Sequence, residues 1–131
     1  MSDTPIEITK TFFAHWSADR MEDALAMLSD DVLYDNVPVP FPKIVGREGV
    51  RKFHVDFGFG KDFRAEFKVV NIAAAGNVVL SERVDVFFHT SGGTITLPVM
   101  GAITVKDGMI TVWRDYFDPT DFDRQLSQIK R

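Results

Sequence analysis

From residue 63 onward the apolar side chains of this sequence fall on every second position. Phe63, Ala65, Phe67 and Val69 alternate with Arg64, Glu66 and Lys68. A period of two puts one face of an extended chain into a core and the other into water. Upstream the spacing is helical instead, with Ile8, Phe12, Phe13 and Trp16 recurring on one stripe. A single change of period therefore predicts helices first and a run of strands afterwards. In a chain of 131 residues this is one domain, residues 1–131, of the α+β class. Long neighbouring strands must twist. The predicted sheet is strongly curved and antiparallel-rich, laid against N-terminal helices and able to close over a pocket.

The punctuation fits this order. Thr4, Pro5 and Glu7 have the spacing of a helix start, with Thr4 as cap and Glu7 three residues on. A second helix is expected over Met21 to Leu28, broken by Asp30-Asp31. Val32 to Val37 reads as a short strand, and Pro38-Val39-Pro40-Phe41-Pro42 as a loop that cannot ladder. Gly46-Arg47-Glu48-Gly49 leads into a helix to about Phe57, ended by Gly58-Phe59-Gly60. Further strands cover Asn77 to Phe88, Thr94 to Val105 and Met109 to Phe117, joined by turns at Ser91-Gly92-Gly93 and Lys106-Asp107-Gly108. Pro119 and Asp121 open a last helix ending near Lys130.

Composition excludes several functions. Lys plus Arg is 15 and Asp plus Glu is 19, a net charge of −4 without a basic stripe. Neither nucleic acid nor an anionic membrane surface is an expected partner. There is no cysteine, hence no disulfide framework, thiolate site or thiol nucleophile. No apolar run is long enough for a bilayer, and the first residues lack the basic-then-apolar order of a signal peptide. The expected location is the cytoplasm. His15, His54 and His89 lack metal-ligand spacing, so no metal is expected and none of the three is assigned catalysis. His15 is expected on an exposed or interface side of the first helix. Gly58-Phe59-Gly60-Lys61 lacks the full phosphate-loop pattern. The 12 phenylalanines are mainly core.

Polar residues interrupt the apolar alternation in three places. Tyr34 and Asn36 share a face with Val32. Ser81, Arg83 and Asp85 share one with Val79 and Phe87. Asp115 lies between Trp113 and Phe117. An inward aspartate among aromatics is costly unless paired, and Arg83 is placed to pair with Asp85 and, across adjoining strands, with Asp115. Taken singly, each has a plain reading: a structural ion pair, a core tyrosine, a turn asparagine. Arg114 and Asp118 are expected on the other side, in surface pairs. Together, two inward carboxyls bridged by an arginine suit a reaction that needs a base for water and an acid for a departing oxygen, as epoxide opening does. By strand parity Phe87, Leu97, Val99, Trp113 and Phe117 line the pocket, with Phe59 and Phe122 closing it. An apolar wall of this kind suits a small hydrophobic substrate.

The stretches Tyr34-Asp35-Asn36-Val37-Pro38, Glu82-Arg83-Val84-Asp85-Val86 and Trp113-Arg114-Asp115-Tyr116-Phe117-Asp118 resemble the signature segments of the limonene-1,2-epoxide hydrolase family. They come in the same order and at similar spacing, over roughly Leu28 to Leu126. The resemblance implies a cone-shaped fold of the nuclear-transport-factor-2-like kind with a deep apolar pocket, and a homodimer. It also implies one-step hydrolysis of a hydrophobic epoxide by water, with no covalent intermediate and no cofactor. Asp85 would be the general acid, Asp115 the base and Arg83 the bridge between them. Tyr34 and Asn36 would position the water. The N-terminal segment looks shorter than in the limonene enzyme, and Phe41 to Val45 with the following helix differ, so the substrate stays open. The rivals are an isomerase or cyclase on the same fold, acting on steroid- or polyketide-like substrates, and a non-enzymatic protein that binds apolar ligands. A base facing neutral donors would suit the first. The second leaves two inward aspartates unexplained.

Overall fold

The first helix, α1 (Pro5–Ser17), is fixed at its start by a reciprocal cap. The Glu7 N–H donates to Thr4 Oγ1 and the Thr4 N–H to Glu7 Oε1, each at 3.2 Å. Its apolar stripe buries Ile8, Phe12, Phe13 and Trp16. In this computed structural model, which describes residues 3–129, α1 lies across β3 (Phe63–Ala75) and reaches β4 (Val78–His89) and β5 (Thr94–Lys106). The Phe67 N–H donates to Ser17 Oγ at 2.9 Å, tying the end of α1 to the sheet. Each large side chain sealed in this layer contributes about 1.5–3 kcal/mol through burial.

The remaining elements are α2 (Met21–Leu25), β1 (Leu28–Asn36), β2 (Ile44–Val45), α3 (Arg47–Phe57), β6 (Met109–Tyr116) and α4 (Pro119–Ser127). The six strands form one mixed sheet in the order β2-β1-β6-β5-β4-β3. All neighbours are antiparallel except β1 and β6, which run parallel. The β5–β6 hairpin turns on Asp107 and Gly108, both at positive φ (52° and 78°), the geometry that favours an Asp-Gly pair in a two-residue turn.

Several expected boundaries move, each for a local reason. Asp30 and Asp31 do not break a helix; α2 ends at Leu25 and both aspartates lie within β1. There the ladder to β6 shifts between Leu28 and Leu33, and the irregular stretch leaves both carboxylates in water. Asp30 pairs with Arg47 (3.2 Å), and Asp31 accepts from the Ser29 hydroxyl (3.0 Å). The two-residue β2, set against Leu33 and Tyr34 of β1, is too short to carry a period. A register shift between Val69 and Asn71 ends the regular alternation in β3, although the strand runs on to Ala75. Asp118 is not in a surface pair: it caps α4, accepting from the N–H groups of Thr120 (3.0 Å) and Asp121 (3.2 Å). Arg114 does pair outward, with Asp35 at 3.6 Å. His15 is half-buried, its Nδ1 accepting from Arg20 Nε at 3.3 Å. The expected helix end at Lys130 lies outside the described residues. Among those residues no helix is long and apolar enough to cross a membrane.

Candidate active site

Strand register decides which side chains meet on the inner face of the sheet. One row runs Val79, Ile103, Trp113, Tyr34 across β4, β5, β6 and β1. The next row runs Ser81, Gly101, Asp115, Asn36 across the same strands. Arg83 and Asp85 follow on β4, opposite Val99 and Leu97. Period-two spacing thus stacks Tyr34 under Asn36, Trp113 under Asp115 and Arg83 under Asp85.

Arg83 is the centre of this arrangement. Its Nε donates to Asp85 Oδ1 at 3.0 Å and its Nη2 to Asp85 Oδ2 at 2.9 Å. Its Nη1 donates to Asp115 Oδ1 at 3.1 Å. The guanidinium is buried, with its carbon 4.3 Å from the centroid of the Phe13 ring and 5.5 Å from that of Phe67. The planar fork matches one carboxylate with two parallel bonds and still has a donor for the second. Aromatic faces on the cation add attraction in a dry site.

Space for this fork comes from a residue that parity reasoning passed over. Gly101 interrupts the inward apolar series Leu97, Val99, Ile103 and Val105. A Cβ there would lie 2.6 Å from Arg83 Nη1, 3.1 Å from Asp115 Oδ1 and 3.2 Å from Ser81 Oγ. The missing side chain is what lets the arginine reach across β5 to Asp115. The signal was present in the sequence, as one glycine in an otherwise bulky inward row.

Burial acts differently on each group. It raises the Asp85 carboxyl to about 6; Arg83 opposes the rise and the Asp115 charge adds to it. Burial also works against the charge of Arg83, but the Asp115 and Asp85 carboxylates outweigh it and hold the guanidinium protonated. Tyr34 is pushed far above the ordinary phenol value, chiefly by burial and then by the Asp115 charge, so it remains a neutral phenol.

A cavity of about 680 Å³ opens onto this cluster. Tyr34, Asn36, Asp85 and Asp115 line it, while Arg83 lies behind the two aspartates rather than on the wall. The apolar candidates Phe87, Leu97, Val99, Trp113 and Phe117 line it too, as do Phe59 and Phe122. The loop from Phe41 to Val45 and the following helix, expected to shape the pocket, contribute Phe41, Pro42, Ile44, Phe53 and His54 to its lining, whereas Phe67, Val39 and Pro40 were not singled out. On α3 the signal lay in the spacing of Val50, Phe53, His54 and Phe57, a helical apolar stripe with a histidine in it. Among the described residues no three His, Asp or Glu side chains converge as metal ligands.

A curved six-stranded sheet with helices on its inner side and a polar cluster at the base of an apolar cavity defines an α+β domain of the nuclear-transport-factor-2-like class. The sequence profile of the limonene-1,2-epoxide hydrolase catalytic domain matches residues 3–130, and the chain belongs to that family. It is 36% identical over 105 residues to the epoxide hydrolase EphG of Mycobacterium tuberculosis, a match covering 77% of this chain and 64% of that relative. The matched segment thus spans a little under two thirds of the relative's length. A solved structure of an M. tuberculosis LEH-like epoxide hydrolase superposes with a TM-score of 0.78 at 31% identity, covering 95% of this chain and 90% of the other. A putative polyketide cyclase from Xanthomonas campestris pv. campestris superposes with a TM-score of 0.81 at 20% identity, covering 93% and 96%, and so shares the fold.

Proposed function

We propose that this chain hydrolyses a hydrophobic epoxide to a vicinal diol in one step. The observation that carries the proposal is Arg83, buried and hydrogen-bonded to both Asp85 and Asp115 at the floor of an apolar cavity. In this reading Asp115 takes a proton from water as the water oxygen attacks one epoxide carbon. The carbon–oxygen bond breaks, and Asp85 gives its proton to the departing oxygen. The Asp85 carboxyl, raised to about 6 by burial, lies closer to neutral pH than an ordinary carboxyl, as suits a group that must both take up and give up that proton. Passage of one proton from Asp115 back to Asp85 restores the starting state, so water is the only other reactant and no cofactor is required. Asn36, level with Asp115 on the adjoining strand, and Tyr34, one inward position below, would position the water with Asp115. Arg83 holds the two carboxyls in fixed relation and remains charged throughout.

The same reading takes the working form to be a homodimer in the cytoplasm. Leu80, Met100 and Tyr116 are exposed on the outer sheet face, where a second copy would cover them. Sedimentation as a monomer at micromolar concentration would overturn that part alone.

The reaction is tested by a single turnover of hydrophobic epoxides in water enriched in oxygen-18, with the diols analysed by mass spectrometry. Label in the first diol is the expected result. Oxygen drawn from the protein in that first turnover would mean a covalent aspartyl ester and would sink the one-step mechanism.

A further inference from the structure

One polar atom on the cavity wall has no part in this mechanism. His54 is only 3% exposed. Its ring stacks on Trp113 with centroids 5.6 Å apart and planes at 7°, and lies 4.5 Å from Trp16. Phe53 and Phe59 meet it edge-on at 5.2 and 5.3 Å. Its Nδ1 is 2.8 Å from the Val50 carbonyl oxygen. A carbonyl only accepts, so Nδ1 carries the hydrogen and Nε2 of the neutral ring is a bare acceptor. Burial keeps the ring neutral by lowering its pKa to about 4.

Nε2 has no partner among the described residues, yet it is not sealed inside protein. The buried unpartnered side-chain atoms there are Thr9 Oγ1, Trp16 Nε1 and Trp113 Nε1. His54 does line the cavity, so its free acceptor opens onto that space. An acceptor held in an aromatic wall costs free energy unless something donates to it.

We infer that His54 Nε2 accepts a hydrogen bond from a ligand hydroxyl, and that the substrate class is a hydrophobic epoxide bearing an alcohol remote from the epoxide ring. The donor is a hydroxyl on three grounds. A carboxylate or phosphate would face a lone pair in a cavity that already holds two aspartates. An ammonium would lose its hydration against apolar walls. A hydrocarbon would leave Nε2 unmet. The spacing follows from the sheet. Trp113 is one inward position from Asp115, about 7 Å along the strand, and His54 stacks on the Trp113 ring with centroids 5.6 Å apart. The two polar ends of the ligand are then on the order of 10 Å apart. The cavity has room for such a molecule: at about 30 Å³ for each water-sized group, 680 Å³ holds about twenty non-hydrogen atoms. The epoxide in this statement rests on the function proposed above; the hydroxyl rests on His54 alone.

The test separates the two. Farnesol and its deoxy hydrocarbon cannot react, and their dissociation constants are read by tryptophan fluorescence, since Trp16 and Trp113 adjoin His54. In His54→Phe, farnesol is expected to bind about tenfold more weakly while the hydrocarbon binds unchanged. His54→Asn, which keeps a donor for Val50 but removes Nε2, should show the same selective loss. His54→Gln, which returns an amide oxygen near Nε2, should recover part of it. Equal losses for both ligands, or a loss for neither, would overturn the inference and leave His54 a packing residue. Turnover of the terminal epoxides of the same two molecules is measured separately. Failure of both to react counts against the hydrolase reading, while the binding ratio still decides for or against the His54 contact.

Discussion

Gly101→Ala should damage both stability and turnover by adding a single methyl group. Gly101 has no positive φ, so alanine suits the backbone, and the effect is steric. The new Cβ would sit 2.6 Å from Arg83 Nη1 and 3.1 Å from Asp115 Oδ1. Ordinary contacts need about 3.5 Å or more, so the guanidinium or β5 must shift by nearly an ångström. Arg83 has no easy way to move, because Asp85 holds it by two bonds and Phe13 covers one face. Overpacking of this kind costs about 1–3 kcal/mol. A strained or lost Arg83–Asp115 bond adds about 1.5–3 kcal/mol, the usual worth of a hydrogen bond to a charged group. We expect a total loss of about 2–4 kcal/mol, since the two effects share one displacement. On the proposed mechanism, displacing the Asp115 carboxylate by about 1 Å lowers turnover by about a hundredfold. Urea unfolding and initial rates of diol formation measure the two effects. An alanine variant with unchanged unfolding midpoint and unchanged rate would refute the claim that the gap at Gly101 sets the Arg83–Asp115 contact.

Asp115→Asn and Asp85→Asn should each keep the fold by circular dichroism and lower diol formation by at least about a hundredfold; full turnover in both would remove the hydrolase reading. Arg83→Met leaves two buried carboxyls without their cation, and we expect a loss of about 3–5 kcal/mol at neutral pH. That loss should shrink in acid as the Asp85 carboxyl takes up its proton, which unfolding at pH 7 and pH 5 would show. The Asp85 carboxyl is raised to about 6, so the folded state holds this proton more tightly than the unfolded chain. Its contribution to stability is present below the ordinary carboxylate range and declines as pH rises to about 6. Asp85→Asn does not titrate there and should gain stability relative to the parent across that window, with no further gain above it.

Most of the site was legible because side chains alternate along the regular stretches of β4 and β6 that carry it. Arg83 and Asp85 had to share a face, as did Trp113 and Asp115, once the strands were recognised. The meeting of β1 with β6 was less legible. Parallel strands are joined through long connections, and no turn motif announces which pair will meet, so the alignment of Asn36 with Asp115 emerged only from the register. Short or irregular pieces escaped for a related reason. Ile44–Val45 carries no period, and Asp30 and Asp31 sit where the ladder slips. His54 was set aside because histidine was weighed as a metal ligand, whereas its position among Val50, Phe53 and Phe57 made it part of the inner stripe of α3.

The parallel contact between β1 and β6 also sets the order in which this site can form. Two successive hairpins bring β4, β5 and β6 together through short local loops, and with them Asp85, Arg83 and Asp115. Tyr34 and Asn36 arrive only when a chain end far away in sequence closes onto β6, an event with a larger entropic barrier. The charged half of the candidate site is thus encoded locally and the Tyr34–Asn36 half globally. On the proposed function, turnover recovered during refolding would report closure of the whole sheet, whereas recovered hairpin structure would not.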